Sequence, residues 1–169
     1  MKVLATILLF LSMGSYGQEC QYVTNKVSGM DGTRLVITKP INLSKDFGAG
    51  SVDVWSTIYG DTSLVISFVF NVKENFPLKK GDSILVILDT DEIISLKVLQ
   101  KPVIKTENKN KSLTALTIVN KQAIELFQSH PANRIKIYFD TSTIEGTSKK
   151  KKQALAIQTV INCVIEYLQ

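Results

Sequence analysis

Apolar and polar residues alternate with a period of two along much of the chain between residues 22 and 119, and Gly, Asn, Asp and Pro interrupt the alternation. A period of two is typical of β-strands, in which successive side chains point to opposite faces of a sheet. The first clear run, residues 34–38, follows a turn at residues 30–33. This part of the chain is therefore predicted to consist of strands joined by turns.

The longest alternating runs predict two hairpins. Residues 52–59 and 64–70 form the first, and its second strand has apolar residues at every other position, as expected when one face of a strand is buried. Residues 83–88 and 93–99 form the second hairpin, and residues 113–119 are predicted to be a further strand.

The period changes to that of a helix in two places in the last third of the chain. A short helix is predicted to begin after Asn120, a residue that can cap a helix N-terminus, and to end at His130. A strand is predicted over residues 134–140. Residues 149–168 then predict a longer C-terminal helix, whose apolar stripe consists of Ile157, Val160, Ile161, Val164 and Leu168.

These elements predict one α+β domain. About seven antiparallel strands would form a curved sheet or a sandwich, on which the short helix and the longer C-terminal helix would pack. The length suits a single domain, and no interdomain linker or internal repeat interrupts it.

The first residues have the layout of a secretory signal peptide. Lys2 precedes an apolar run at residues 3–13, and the small residues Ser15 and Gly17 follow it. The run is shorter than the ~20 residues that a membrane-spanning helix needs. We predict cleavage after Gly17, which makes residues 1–17 the signal peptide and 18–169 the mature domain.

The chain contains two cysteines, Cys20 and Cys163. Lipid attachment at Cys20 is not expected, because Gln18 and Glu19 precede it where a lipoprotein signal has small uncharged residues. Exported proteins meet oxidising conditions, so Cys20 and Cys163 are a candidate disulfide. The alternative is that Cys163 is a buried, unpaired apolar side chain.

The formal net charge of +5 is mild and spread along the chain, and it does not indicate a nucleic-acid partner. Lys149, Lys150, Lys151 and Lys152 form the densest cluster, and the polar segment 101–112, predicted to be an exposed loop, holds further lysines. Such lysines could bind an anionic polymer or lipid headgroups. The alternative is an ordinary solvated face.

Acidic residues gather in the turn of the second hairpin. Asp89, Asp91 and Glu92 could hold a hard cation such as Ca²⁺, but the spacing lacks the remaining ligands of a calcium loop, and acidic residues are also common in turns. His130, the only histidine, lies at a predicted helix end, where the helix dipole favours it. We therefore expect no catalytic residue and no cofactor.

The order of a leader, a turn at 30–33 before a short strand, two hairpins, a short helix, an Arg134-Ile135-Lys136 strand and a C-terminal helix resembles small exported proteins of Gram-negative bacteria. The sequence at 30–33, Met-Asp-Gly-Thr, departs from the D-x-x-T-G turn of that group. The resemblance implies a periplasmic or secreted location. It carries over no activity and no functional residue.

Together these features predict an exported, non-catalytic domain that binds an envelope or extracellular component through its sheet face and loops. One alternative is a small exported hydrolase or metal-dependent enzyme that uses Asp89, Asp91, Glu92 or His130. A second is a binder of anionic envelope polymers or lipid headgroups through the lysine-rich loops. Neither a nucleic-acid partner nor a transmembrane anchor is expected.

Overall fold

The computed structural model describes residues 20–27, 34–47, 50–59, 64–72, 77–107, 110–138 and 143–167. Of these residues, 60% lie in strands and 18% in helices. The predicted signal peptide and the turn at 30–33 lie outside the described residues. Across the described ranges, every helix is too short or too polar to cross a membrane.

Eleven strands and three short α-helices are found in the described residues. The strands are β1 (Tyr22–Val27), β2 (Arg34–Thr38), β3 (Ile41–Phe47), β4 (Gly50–Tyr59), β5 (Leu64–Val72), β6 (Ser83–Leu88), β7 (Ile93–Lys97), β8 (Val103–Glu107), β9 (Asn110–Val119), β10 (Ala132–Tyr138) and β11 (Thr143–Thr147). The helices are α1 (Lys121–Ser129), α2 (Lys151–Ala154) and α3 (Ala156–Asn162).

The larger sheet is curled and antiparallel, with seven strands in the order β1-β2-β4-β5-β9-β8 and β3 paired to β4. Two strands share one side of β4, since Leu35 to Ile37 pair with its C-terminal half and β3 pairs with its N-terminal half. Between them the chain passes through Lys39 and Pro40, outside either strand. The break between β2 and β3 is where the candidate site described below lies.

The smaller sheet has four antiparallel strands in the order β11-β10-β6-β7. It meets the larger sheet through a bridge between Val98 and Thr117, and again where β11 approaches β3. At this second contact a Cβ on Gly146 would lie only 2.7 Å from Ser44 Oγ and 3.1 Å from Phe47 Cα. The absence of a side chain at Gly146 therefore allows the two strands to approach closely.

The predicted hairpins are confirmed, because β4 pairs with β5 and β6 pairs with β7. Alternate side chains of β5 lie in the core, with Leu64 1% exposed and Phe68 fully buried. The predicted short helix is also confirmed as α1. Its N-cap Asn120 accepts a hydrogen bond from the Ala123 N–H at 2.8 Å, and its C-cap is His130.

The prediction of a loop over residues 101–112 is wrong. This segment contains β8 and the start of β9, which pair with each other from Val103 and Thr114 to Glu107 and Asn110. The side chains of β8 from Val103 to Thr106 are exposed. β8 is held by its pairing with β9, and edge strands commonly carry polar and charged side chains. A polar sequence therefore did not exclude a strand here.

The predicted α+β fold with a long C-terminal helix is wrong, because the molecule is mostly β and its helices are short. Leu155 ends α2 and begins α3. After Asn162, bonds from Val164 N–H to Ile161 C=O and from Tyr167 N–H to Val164 C=O have the tighter 3₁₀ spacing. An apolar stripe at helical spacing fits several short turns as well as one long helix, so the stripe could not predict the interruptions.

The residues of α3 that form this stripe are nevertheless buried as predicted. Ile157, Val160 and Ile161 have no exposed surface, and α3 packs against β3, β4 and α1. The end of the predicted stripe, Leu168, lies outside the described residues. The C-terminal segment therefore completes the core and covers the break between β2 and β3.

Candidate functional site

A pocket of about 490 Å³ opens between the β2–β3 connection and the two C-terminal helices, and its volume is in the range of small-molecule sites. The strand wall consists of Thr38, Lys39, Pro40, Ile41, Asn42 and Lys45. The helix wall consists of Lys150, Lys152, Gln153, Thr159, Val160 and Cys163. Gln21, just before β1, completes the lining.

Buried hydroxyl groups hold the strand wall in place. Thr38, only 2% exposed, accepts a hydrogen bond at its Oγ1 from the Ser56 N–H at 3.0 Å. Ser56 Oγ in turn donates to the Val160 carbonyl on α3 at 2.6 Å. The end of β2, the middle of β4 and α3 are thus tied together beneath the pocket.

Two amide side chains join the helix wall to the strand wall. Gln153 is 6% exposed, and its Nε2 donates to Asn42 Oδ1 at 2.7 Å while its Oε1 accepts from the Lys150 N–H at 3.1 Å. Asn42 Nδ2 also donates to Asp53 Oδ1 at 2.9 Å. Because these amides bond within the protein, their main effect is to fix the first turn of α2, with its lysines, against β3.

The cysteine pair lies beside the pocket, because Cys163 is one of the lining residues. The sulfurs of Cys20 and Cys163 lie 2.17 Å apart, so the predicted pairing is present. Tyr22 Oη donates to the Cys163 carbonyl at 2.8 Å, and the Lys39 N–H donates to the Gln21 carbonyl at 2.8 Å. The bridge therefore holds the first described residues beside the lysine-bearing strand wall.

The pocket has a strongly one-sided charge. Among the residues that the structure describes, its lining holds four lysines, Lys39, Lys45, Lys150 and Lys152, and no acidic residue. The ion pairs found among the described residues use other cationic side chains, and none brings a carboxylate to these four. Positive charge on both walls of the pocket would attract an anion.

The structure divides the predicted lysine cluster. Lys150 and Lys152 line the pocket, whereas Lys151 is exposed on α2 outside the lining. Lys149 Nζ lies 2.8 Å from Asp46 Oδ2. Sequence reasoning missed Lys39 and Lys45 because they are isolated lysines, and no local charge run marks them.

Asp46 belongs to a separate polar contact, the β3–β11 seam, which is formed by Ser44, Asp46, Gly146, Thr147 and Lys149. Ser44 Oγ donates to Asp46 Oδ1 at 2.8 Å, and the Thr147 N–H donates to the same oxygen at 3.3 Å. The hydrogen bond from Lys149, followed by that from Ser44, lowers the pKa of Asp46 from 3.8 to about 2. Lys149 therefore has a carboxylate partner that the pocket lysines lack.

The three acidic residues of the predicted metal site contact three different partners. Asp89 lies 3.5 Å from His130 Nδ1, and Asp91 lies 3.7 Å from an Arg134 nitrogen. Glu92 accepts a hydrogen bond from Thr90 Oγ1 at 3.1 Å. In the part of the chain that the structure describes, no three His, Cys, Asp or Glu side chains are grouped so that they could hold a metal ion.

A second cavity, of about 430 Å³, lies between β7 and α1. Lys97 is the one charged residue among its described lining residues, against four in the lysine-lined pocket. Charged groups that converge on a pocket help to fix a ligand's orientation. The lysine-lined pocket is therefore the stronger candidate site.

No protein-family model, curated protein or solved structure matches this chain. The candidate site is therefore interpreted from its own residues and their geometry.

Proposed function

We propose that the mature chain is an exported, non-catalytic domain that binds an anionic ligand in the lysine-lined pocket. The observation that carries this proposal is the set of four lysines, Lys39, Lys45, Lys150 and Lys152, which line both walls of the pocket, with no carboxylate among the described lining residues. An anion entering the pocket would be attracted by each ammonium group. The proposal combines two predictions from the sequence, a non-catalytic binding domain and anion binding by lysines near residue 150.

Export is supported by two independent features. Residues 1–17 have the layout of a signal peptide. The pair formed by Cys20 and Cys163 is of a kind that persists in oxidising compartments. The resemblance to small exported Gram-negative proteins points the same way, so we propose that the ligand is a periplasmic or extracellular component.

Binding is favoured over catalysis by the chemistry of the lining. Among the described lining residues there is no His, Asp or Glu, so no imidazole or carboxylate base stands beside the threonine hydroxyls of the pocket. The hydroxyl of Thr38 is already bonded to the Ser56 N–H. His130 and Asp89 contact each other, but neither lines the pocket.

The proposal is tested by retention of the oxidised protein on a sulfated polyanion column eluted with salt. The double variant Lys150→Met/Lys152→Met is expected to elute at clearly lower salt than wild type. The matched control is Lys79→Met/Lys80→Met, which removes the same charge from two exposed residues outside the pocket.

The control should elute close to wild type if the pocket, rather than net charge, dominates binding. An equal loss of retention in both double variants would contradict the proposal. Elution that does not depend on salt would contradict it too, because ionic contacts at an open site are screened by salt.

A further inference from the structure

We infer that the ligand carries at least two phosphate groups and is held by both walls of the pocket at once. This inference rests on the proposed function and adds the class of ligand. It follows from three properties of the pocket: the number of its positive charges, the type of residue that carries them, and their division between two walls.

The number of lysines indicates the charge of the anion. A phosphate monoester carries about −1.5 to −2 charges at neutral pH. Lys39, Lys45, Lys150 and Lys152 together present four positive charges, which two such groups would balance and one would not. The volume of about 490 Å³ gives room for more than one such group.

The residue type suits phosphate bound through charge rather than through a paired hydrogen-bond geometry. Arginine, whose planar fork binds carboxylate or phosphate through two parallel hydrogen bonds, is absent from the described lining residues. Lysine acts as a compact point charge and is a common phosphate ligand. Asn42 and Gln153 are already bonded to each other, so the lysines are the main groups available to select a ligand.

The walls are far apart in sequence but fixed in space. Lys39 and Lys45 lie on the β2–β3 side, and Lys150 and Lys152 lie on the α2 side. The hydrogen bond from Gln153 to Asn42 joins the two sides. A ligand with two phosphate groups could therefore contact one lysine pair with each group, whereas a single phosphate would have to choose a side or lie between them.

The test is calorimetric titration of the oxidised protein with orthophosphate and with tripolyphosphate. We compare wild type with two wall variants, Lys39→Met/Lys45→Met and Lys150→Met/Lys152→Met, and with the control Lys79→Met/Lys80→Met. Tripolyphosphate should bind wild type at least about tenfold more tightly than orthophosphate, and each wall variant should lose most of that advantage. The control variant should keep the tighter binding of tripolyphosphate. Because all six lysines are exposed, the variants are expected to fold.

The outcomes separate this inference from the proposed function. If orthophosphate binds as tightly as tripolyphosphate, or if only one wall variant matters, the two-wall inference fails while the anion pocket stands. If neither anion binds, and phosphatidylcholine vesicles containing cardiolipin do not bind either, the two-phosphate inference fails. The proposed function fails as well if the sulfated polyanion column shows no retention that depends on the pocket lysines.

The vesicles distinguish the two sources of the same chemistry. Cardiolipin carries two phosphate diesters, each with a single negative charge, so its vesicles test contact with both walls rather than full charge balance. Sedimentation with these vesicles that depends on both walls would assign a membrane lipid as the source. Tripolyphosphate binding without sedimentation would assign a soluble phosphate compound. Either result, if it depends on both walls, supports the inference.

Discussion

Lys149 and Lys150 are adjacent in the chain, yet the fold places them in opposite electrostatic surroundings. Lys149 lies 2.8 Å from the Asp46 carboxylate at the β3–β11 seam. Lys150, the N-cap of α2, lines a pocket whose described residues include three more lysines and no acidic residue. A run of like charges along the chain therefore does not form one cluster in the fold, because neighbouring lysines differ in the acidic groups near them.

The seam and the pocket also differ in how their charges are compensated. At the seam, Asp46 accepts hydrogen bonds from Ser44, Thr147 and Lys149, so its charge is well compensated. In the pocket, none of the ion pairs found among the described residues uses one of the four lysines.

The largest effect is expected from removing the disulfide, which touches the pocket and holds the scaffold. Cys20→Ala/Cys163→Ala should lower the free energy of unfolding by about 2–5 kcal/mol. Anion affinity should fall as well, because Gln21 and Cys163 line the pocket. Urea unfolding and anion titration measure the two effects. Equal unfolding of wild type with and without reductant would show that the bridge does not stabilise the fold.

The next effect separates the seam from the pocket. Gly146→Ala should cost about 1–3 kcal/mol, because the new Cβ would overlap Ser44 Oγ and crowd the backbone of Phe47. Anion affinity of the folded protein should stay unchanged, since Gly146 does not line the pocket. Thr143→Ala, at an exposed position of the same strand, is the control for urea unfolding. A loss of anion affinity without a loss of stability would contradict the assignment of Gly146 to the structural seam rather than to the pocket.

The smallest effect concerns the protonation of Asp46. Its pKa is about 2 in the folded protein and ordinarily 3.8, so its stabilising contribution is present above pH 3.8 and is lost as the pH falls toward 2. The pair with Lys149 is partly exposed, and solvent screening should keep the contribution to about 1 kcal/mol or less.

The measurement is the difference in unfolding free energy between wild type and Asp46→Asn, followed from pH 5 to pH 2 (roughly the window set by the two pKa values). This difference should shrink as the pH falls. When the same comparison is made in the Lys149→Met background, the difference at the upper pH should be smaller. In the Lys150→Met/Lys152→Met background, its pH dependence should be unchanged. A difference that stays constant over the window would mean that the Asp46 charge does not stabilise the seam.

Local patterns predicted the elements whose partners are close in sequence. The β4–β5 and β6–β7 hairpins follow from alternation across a short turn, and α1 follows from its apolar spacing and the Asn120 cap. The pairing of β3 with β4 and of β11 with β10 is less visible, because β3 shifts register along β4 and β11 is only five residues long. The register shifts of β3, which place both Leu43 and Ser44 in the core, obscure its alternation.

Sequence alone determined the strand-rich middle, the short helix, the buried stripe of α3 and the lysine run at residues 149–152, because each depends on side-chain periodicity or composition within one segment. The tertiary structure alone decided that Lys39 and Lys45 face Lys150 and Lys152, and that Asp46 pairs with Lys149. These groups are about a hundred positions apart. Only closure of β3 against β11 and α2 brings them together, and such long-range contacts leave no periodic signal along the chain.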